Sequence, residues 1–544
     1  MKQIAVIFLV LFLLISCHGE KTFFMKLTRM LSDTENQDQS SIPKENNFEN
    51  YKKSTQNIDE REFESNFWKK EAQRKLKSQI EKKFNTNIAK NVILFMGDGM
   101  SLSTITASRI YEGQLKHKTG EENSLSFENF DHIGLSKSYC VDKQTADSAC
   151  SATAYFTGVK NNYTTVGVNA KVQYKDCKAS LKKENQLSSF IEWAQKAGKA
   201  TGIVTNTRVT HASPSAAYAK TSNRDWESDL NIAQSNNTDG CDDIALQLIT
   251  SEPGKNINVI YGGGRKKFIG NNIIETTSAS RGERLDGRDL IDEWLEDKRM
   301  RNMKNAHYIH NRDGLNSLNT NDAEYVLGLF ANSHLDYHLN RNPQEPTLKE
   351  MTISAIEVLK KSKNGFVLFV EGGRIDQAHH NNMAKLALDE TVQLSEAVQS
   401  AVDMTNEKDT LIIVTSDHSH TMTLAGYSSR GADILGYNTQ ISDIDKMPYM
   451  TLSYTSGPSA AKGGRDHMPN KDEMKQNSYD YPSLVPLSYE THSGEDVVIY
   501  GRGPYAHLFD GVLEQNMIPH IIAYAACIAD NKSDLTACDN KNSK

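Results

Sequence analysis

Six apolar runs constrain this chain more than any other feature. "NVILFM" (91–96), "KATGIVT" (199–205), "INVIYGGG" (257–264), "GFVLFVEGG" (365–373), "DTLIIVTSDH" (409–418) and "VVIYGRG" (497–503) are continuous rather than alternating, and helical stretches separate them. A strand with one wet face alternates apolar and polar residues, whereas a strand without a polar face is covered on both sides. The pattern predicts an α/β fold with a mostly parallel central sheet flanked by helices. "FWKKEAQRKLKSQIEKKF" (67–84) reads as a helix preceding the first strand. Residues 428–486 break the rhythm with Gly, Pro, Ser, Tyr and Lys, and read as an inserted subdomain. No internal repeat appears.

The N-terminus carries a different kind of signal. "MKQIAVIFLVLFLLISCHGE" places Lys2 before an apolar stretch from Ile4 to Ile15, followed by Ser16 and Cys17, as in a secretory signal peptide over 1–17. "LISC" also fits a bacterial lipoprotein cleavage site with lipid on Cys17, and that alternative stays open. Residues 18–60 are polar and read as a disordered leader, 61–530 as the catalytic domain and 531–544 as a C-terminal tail. The end "TACDNKNSK" lacks the apolar tail of a GPI signal, so the expectation is an exported, soluble protein without an evident membrane anchor. Six cysteines beyond Cys17 and sequons at Asn162, Asn236 and Asn531 fit that compartment. A formal net charge of -7 argues against a nucleic-acid-binding surface.

In open parallel sheets, ligands collect outside the carboxyl ends of the strands. Here those ends carry Asp98 in "LFMGDGMS", Glu371, Asp376, His379 and His380 in "FVEGGRIDQAHH", and Asp417, His418 and His420 in "VTSDHSH"; His492 lies just before the last run. A single aspartate after a strand is usually a cap and a single histidine usually structural. Repetition of carboxylate–imidazole pairs at several strand ends instead points to mixed O/N sites suited to zinc, with a harder oxygen site for magnesium. "YGGGR" (261–265) reads as a turn.

"TADSACSATAY" (145–155) places Asp147 or Ser148 as the cap of a helix whose free N–H groups favour an anion. A neighbouring zinc would activate the Ser148 hydroxyl. "HASPSAAYAKTSNRDW" adds His211, Ser213 and Arg224, whose planar fork suits two phosphate oxygens. Together these parts point to phosphoryl transfer.

At these residues the sequence resembles the alkaline phosphatases, especially their animal branch. "LFMGDGM", "DSACSATAYFTGVK", "TRVTHASPSAAYA", "FVEGGRIDQAHH", "VTSDHSH" and "ETHSGEDV" stand in the family's order along nearly the whole chain after the leader. The resemblance implies an α/β/α sandwich, with 428–486 as a crown subdomain at a homodimer interface. It implies hydrolysis of phosphate monoesters at alkaline pH through a phosphoserine at Ser148. Asp376, His380 and His492 would hold one zinc, and Asp98, Asp417 and His418 a second. Asp98, Ser213 and Glu371 would hold magnesium, with His211 in its outer sphere. Arg224, oriented by Asp147, would clamp the phosphate, and Gln377 and His420 would lie just outside the ligands.

Departures from the family pattern are equally specific. Cys150 replaces a smaller residue, Gln377 a histidine, lysine or aspartate, and Tyr489 an acidic residue at the site's mouth. The family implies disulfides Cys177–Cys241 and Cys527–Cys538; Cys140 and Cys150 stay unassigned, with Cys150 read as a small apolar filler or a thiol-sensitive site. The branch's calcium site is left open, because Ala331 stands where a glutamate ligand is expected, beside Phe330 and a shifted Glu345, and Glu275 and Asp286 do not decide it. A sulfatase would need a Cys/Ser-x-Pro-x-Arg motif that "SACSA" lacks. A related phosphodiesterase and a non-catalytic surface binding protein are the alternatives; the second would require loss of Ser148, Arg224 or a metal ligand, and none is lost.

Overall fold

The computed structural model describes residues 58–236, 240–274, 281–462, 469–529 and 534–538. The signal-peptide and leader readings up to residue 57, Cys17, Glu275, Asn531 and the tail beyond residue 538 lie outside the described residues.

Each apolar run forms a strand. The main sheet contains β1 (Asn91–Gly97), β2 (His132–Lys137), β3 (Ala200–Arg208), β4 (Val259–Gly263), β5 (Ala306–Ile309), β6 (Tyr325–Leu329), β7 (Phe366–Gly372), β8 (Thr410–Ser416), β9 (Val497–Arg502) and β10 (Gly511–Glu514). Their order is β10-β2-β9-β8-β1-β7-β3-β4-β6-β5. Only β9 runs against its neighbours. Four strands had no counterpart among the apolar runs: β2, β5, β6 and β10. They lie toward the sheet's two margins, where a strand is shorter or wetter and its apolar signal correspondingly weak.

Continuous apolarity has the expected cause. Along β1, Ile93 and Phe95 join one buried cluster, while Val92, Leu94 and Met96 join another on the opposite face. The first cluster is covered by α2 (Leu102–Leu115), α4 (Leu348–Leu359) and α6 (Ala384–Met404). The second is covered by α3 (Ser148–Thr157) and α7 (Met517–Ala526), among others. The result is a helix–sheet–helix sandwich. Before it lies α1 (Ser65–Ile80), matching the expected helix, though it contributes no buried residue. No helix among the described residues is long and apolar enough to cross a membrane.

Residues 423–486 stand apart from the main sheet. Thr423–Leu424, Leu452–Gly457 and Ser483–Pro486 form a three-stranded sheet, and Tyr437–Ile441 pairs with Pro448–Met450. Ser483–Pro486 is an edge strand; Leu484 and Val485 within it and Leu487 and Tyr489 just after it are exposed.

Cysteine chemistry departs from expectation at one pair. Cys177–Cys241 and Cys527–Cys538 are disulfides, and so is Cys140–Cys150, with its Cα atoms 5.8 Å apart. Cys150 is therefore neither a free thiol nor a simple filler. Asn162 is buried and its carboxamide donates to the carbonyls of Ala170 (2.9 Å) and Val172 (3.0 Å), a poor position for a glycan. Asn236 is exposed.

Candidate active site

Strand register brings the acids together. Gly97 pairs with Ser416 in the β1–β8 ladder, so Asp98 and Asp417 leave the sheet side by side. Glu371 is the penultimate residue of β7, paired with Met96. α5 (Arg374–His380) starts two residues after β7, and its four-residue spacing carries Asp376 and His380 on one face. Ser419–His420 pairs antiparallel with His492–Ser493, setting His492 opposite His420. Gly99 has a left-handed φ of 69°, and a side chain there would collide with the His420 ring.

One cluster centres on Asp376. Its Oδ1 lies 2.7 Å from His420 Nε2, 3.3 Å from His492 Nε2 and 3.4 Å from His380 Nε2. His420 thus approaches Asp376 more closely than either expected ligand does. Burial opposes ionisation of Asp376, yet the surrounding imidazoles, His380 foremost, hold it well below the ordinary carboxylate range. Burial also opposes charge on His420, but the Glu490 and Asp376 carboxylates push it up to about 10.

A second cluster centres on His418. Its Nε2 lies 3.2 Å from Asp417 Oδ2, 3.5 Å from Asp98 Oδ1 and 3.2 Å from Ser148 Oγ. Asp98, His211 and Glu371 converge as a third group, beside fully buried Ser213 on the turn Ala212–Ser215. Burial pushes Asp98 well above its usual range, reinforced by Asp376, Asp417 and Glu371, and it raises Glu371 to about 7.

The anion-facing side is built from α3. Asp147 is its cap, accepting from Cys150 N (3.1 Å), and Ser148 is its first residue, almost fully buried. Arg224 Nη1 donates to Asp147 Oδ2 (3.1 Å) and its Nη2 to His211 Nε2 (3.2 Å). His211 is held neutral, its pKa lowered by burial and then by Arg224 and Arg208. Gln377 does not stand free: Arg374 donates to its carbonyl, and its Nε2 lies 3.1 Å from the His334 ring nitrogens. Tyr489 is exposed and meets His380 edge-on, ring centroids 5.6 Å apart.

A model of the alkaline phosphatase family matches residues 89–528. The human tissue-nonspecific isozyme of alkaline phosphatase is 45% identical over 481 residues, covering 87% of this chain and 91% of that protein. Membrane-bound alkaline phosphatase of Bombyx mori is 44% identical, covering 87% of each chain.

The chain belongs to the alkaline phosphatase family.

It is therefore a phosphatase of phosphate monoesters. Its fold matches the solved alkaline phosphatase of Thermus thermophilus at 20% identity, with a TM-score of 0.58 over 85% of this chain and 97% of that one. The enzyme from the Antarctic bacterium TAB5 matches at 22% identity and a TM-score of 0.54, over 81% of this chain and 99% of that one.

The donor set of this alkaline phosphatase fits metal ions. His380 Nδ1 donates to the Glu490 carbonyl (2.6 Å) and His492 Nδ1 to the Ala146 carbonyl (2.8 Å). Both rings therefore turn acceptor Nε2 atoms toward each other, 3.2 Å apart beside Asp376. Two lone pairs and a carboxylate converging in a largely buried space suit a cation between them. Both oxygens of Asp98 and Oε1 of Glu371 are likewise buried without a hydrogen-bond donor among the described residues.

Several supporting residues escaped the sequence reading. Glu490 is fully buried; one carboxylate oxygen accepts from His420 Nδ1, the other from Thr421 N (2.7 Å) and Oγ1 (2.6 Å). Thr205 and Thr207 donate to Glu371 Oε2 at 2.5 and 3.1 Å. Glu490 was readable as the acid two residues before His492, but its partner is distant in sequence. His379, by contrast, bonds Thr104 and Tyr454 and belongs to the packing behind the site. Toward calcium, Asp286 is taken up by Arg284 (2.6 Å) and Glu345 accepts from Asp336 N (2.7 Å). Neither joins a group of three or more His, Cys, Asp or Glu side chains among the described residues.

Proposed function

We propose that this chain is a secreted, homodimeric phosphomonoesterase that uses two zinc ions and one magnesium ion at alkaline pH and passes through a phosphoserine at Ser148. The observation that carries the reading is the meeting of Ser148 Oγ with His418 Nε2 at 3.2 Å, at the start of a helix whose cap also fixes Arg224. Asp376, His380 and His492 would hold one zinc, Asp98, Asp417 and His418 the other, and Asp98, Ser213 and Glu371 the magnesium, with His211 and His420 outside them. Bound zinc lowers the pKa of a hydroxyl or water beside it and offsets the charge of the entering and leaving oxygens.

The chain's own residues do the rest. Ser148 Oγ attacks phosphorus and forms the Oγ–P bond as the ester P–O bond breaks and the alcohol leaves with a proton. Water then attacks the same phosphorus, the Oγ–P bond breaks, and inorganic phosphate is released. Arg224 presents two parallel N–H groups to phosphate oxygens, and Asp147 removes its freedom to turn away. The amino end of α3 adds backbone N–H groups on the same side. Gln377, tied between Arg374 and His334, contributes a neutral amide near the phosphate. The apolar edge around Leu484, Val485 and Leu487 supports residues 428–486 as a crown that pairs with a second copy within a catalytic domain of 61–530.

The test is metal content measured beside hydrolysis of p-nitrophenyl phosphate and of its bis-ester across mildly acidic to strongly alkaline pH. The expected result is two zincs per chain and chelator-sensitive alkaline activity favouring the monoester. Faster cleavage of the bis-ester would make the enzyme a diesterase, and bound zinc without turnover would make it a scaffold.

A further inference from the structure

The segment between β2 and α3 lacks regular secondary structure, and Val141, Asp142, Lys143 and Gln144 in it are exposed. Yet its last residues carry three groups of the site. The Ala146 carbonyl accepts from His492 Nδ1 (2.8 Å), the Asp147 carboxylate accepts from Arg224 Nη1 (3.1 Å), and Ser148 Oγ meets His418 Nε2. What closes the segment is the disulfide joining Cys140, before the exposed stretch, to Cys150 in the first turn of α3. Cys140, Ala146 and Cys150 form a small buried cluster of their own, separate from both main cores, with each sulfur residue 2% exposed. Cys150 N also donates to Asp147 Oδ1, so the disulfide and the phosphate-clamp carboxylate share one residue. Val141 N binds the Asn161 carbonyl (2.9 Å) and Thr164 N binds Asp147 Oδ1 (3.1 Å), so the disulfide is the only covalent member of this brace.

We propose that the Cys140–Cys150 disulfide is a positioning element of the phosphate site: it holds residues 146–148 so that Asp147 keeps Arg224 aimed at phosphate. The proposal rests on the phosphoserine reading given above. Its chemistry is mechanical rather than redox. A shift of about 1 Å in a positioning group can cost on the order of a hundredfold in rate, and loss of the cross-link frees an exposed segment to make such shifts.

The discriminating variant is Cys140→Ala with Cys150→Ala in the full chain, which keeps small apolar groups in the cluster and removes only the bond. Metal-loaded enzyme is assayed well below its melting temperature for kcat, KM and inhibition by inorganic phosphate. kcat/KM is expected to fall by on the order of a hundredfold, with KM and the phosphate inhibition constant rising together and accounting for more of that loss than kcat. Cys527→Ala with Cys538→Ala serves as the control and leaves both constants unmoved. A Cys140/Cys150 variant that melts earlier but keeps the parent's KM and phosphate inhibition would overturn the proposal, leaving a purely structural disulfide. Should that variant fail to fold, the parent is reduced stepwise with tris(2-carboxyethyl)phosphine, which lacks zinc-binding thiols, each opened disulfide yielding two thiols and one phosphine oxide whose oxygen comes from water. Alkylation mapping then reports which pair opened; KM must rise with the Cys140–Cys150 fraction, and a KM indifferent to it removes the proposal. Failure of the functional reading looks different, because the parent itself would then release no phosphate from p-nitrophenyl phosphate, and the proposal would fall with it.

Discussion

The two halves of the site are held in different ways. Asp98, Glu371 and Asp417 leave β1, β7 and β8, adjacent strands whose side chains are packed on both faces. Asp147, Ser148 and Arg224 come from loops and a helix start, fastened by side-chain hydrogen bonds and the Cys140–Cys150 disulfide. The metal-facing half inherits its precision from the sheet, whereas the anion-facing half needs dedicated braces. Clustering buried acids carries its own cost: without cations, Asp98, Asp376, Asp417 and Glu371 repel one another in a low-dielectric interior.

The largest effect should come from cutting the halves apart at their contact, Ser148 Oγ with His418 Nε2. Ser148→Ala should lower kcat by roughly 10³-fold or more with zinc content intact by metal analysis. Asp98→Asn attacks the strand half. It should abolish most activity and metal retention, yet the metal-free variant should unfold at higher denaturant than the metal-free parent, by roughly 2 kcal/mol. An equal or lower midpoint would mean that the acids are not in conflict. On the loop half, Arg224→Lys should weaken phosphate inhibition by roughly tenfold or more, because a point charge cannot replace the fork. Glu490→Gln should leave the phosphate clamp untouched but loosen zinc by roughly 10- to 100-fold in a chelator competition.

The smallest effect concerns stability alone. Lys220 lies on the loop leading to Arg224, and its buried Nζ has no hydrogen-bond partner among the described residues; burial lowers its pKa to about 8. Because the folded chain releases this proton first, between about 8 and the ordinary lysine value the unfolded chain binds more protons. Wild-type stability therefore gains with rising pH across that window. Lys220→Met should raise stability at neutral pH, an advantage that shrinks as pH climbs past 8 toward 10, without changing KM. An advantage independent of pH in thermal melts would place the Nζ in water.

The same division explains what the sequence disclosed. The central strands and their terminal acids were legible because burial on both faces leaves unbroken apolar runs, and the acid after each run is a local signal. The marginal strands β2, β5 and β10 were not, since partial exposure dilutes that pattern, and β6 was not because its buried run, Tyr325–Leu329, is only five residues long and broken by Gly328. Asp147, Ser148 and Arg224 were found through their local motifs and a family resemblance, whereas their mutual contacts depend on folding. The third disulfide, the Glu490–His420 pair and the Gln377–His334 contact were missed because each joins residues whose spacing carries no periodicity. The Arg374–Gln377 link, three apart on α5, was missed because helical spacing alone does not say which neighbours bond. The sequon at Asn162 shows the reverse error, a local pattern overridden by burial of its carboxamide.

The most direct test of the account is to trap the enzyme with inorganic phosphate by acid quench and map the modified residue by tandem mass spectrometry. The account predicts a phosphoryl group on Ser148, present in the zinc-loaded enzyme and lost after chelation. Turnover with no phosphoryl group on Ser148, or with one on another residue, would contradict it.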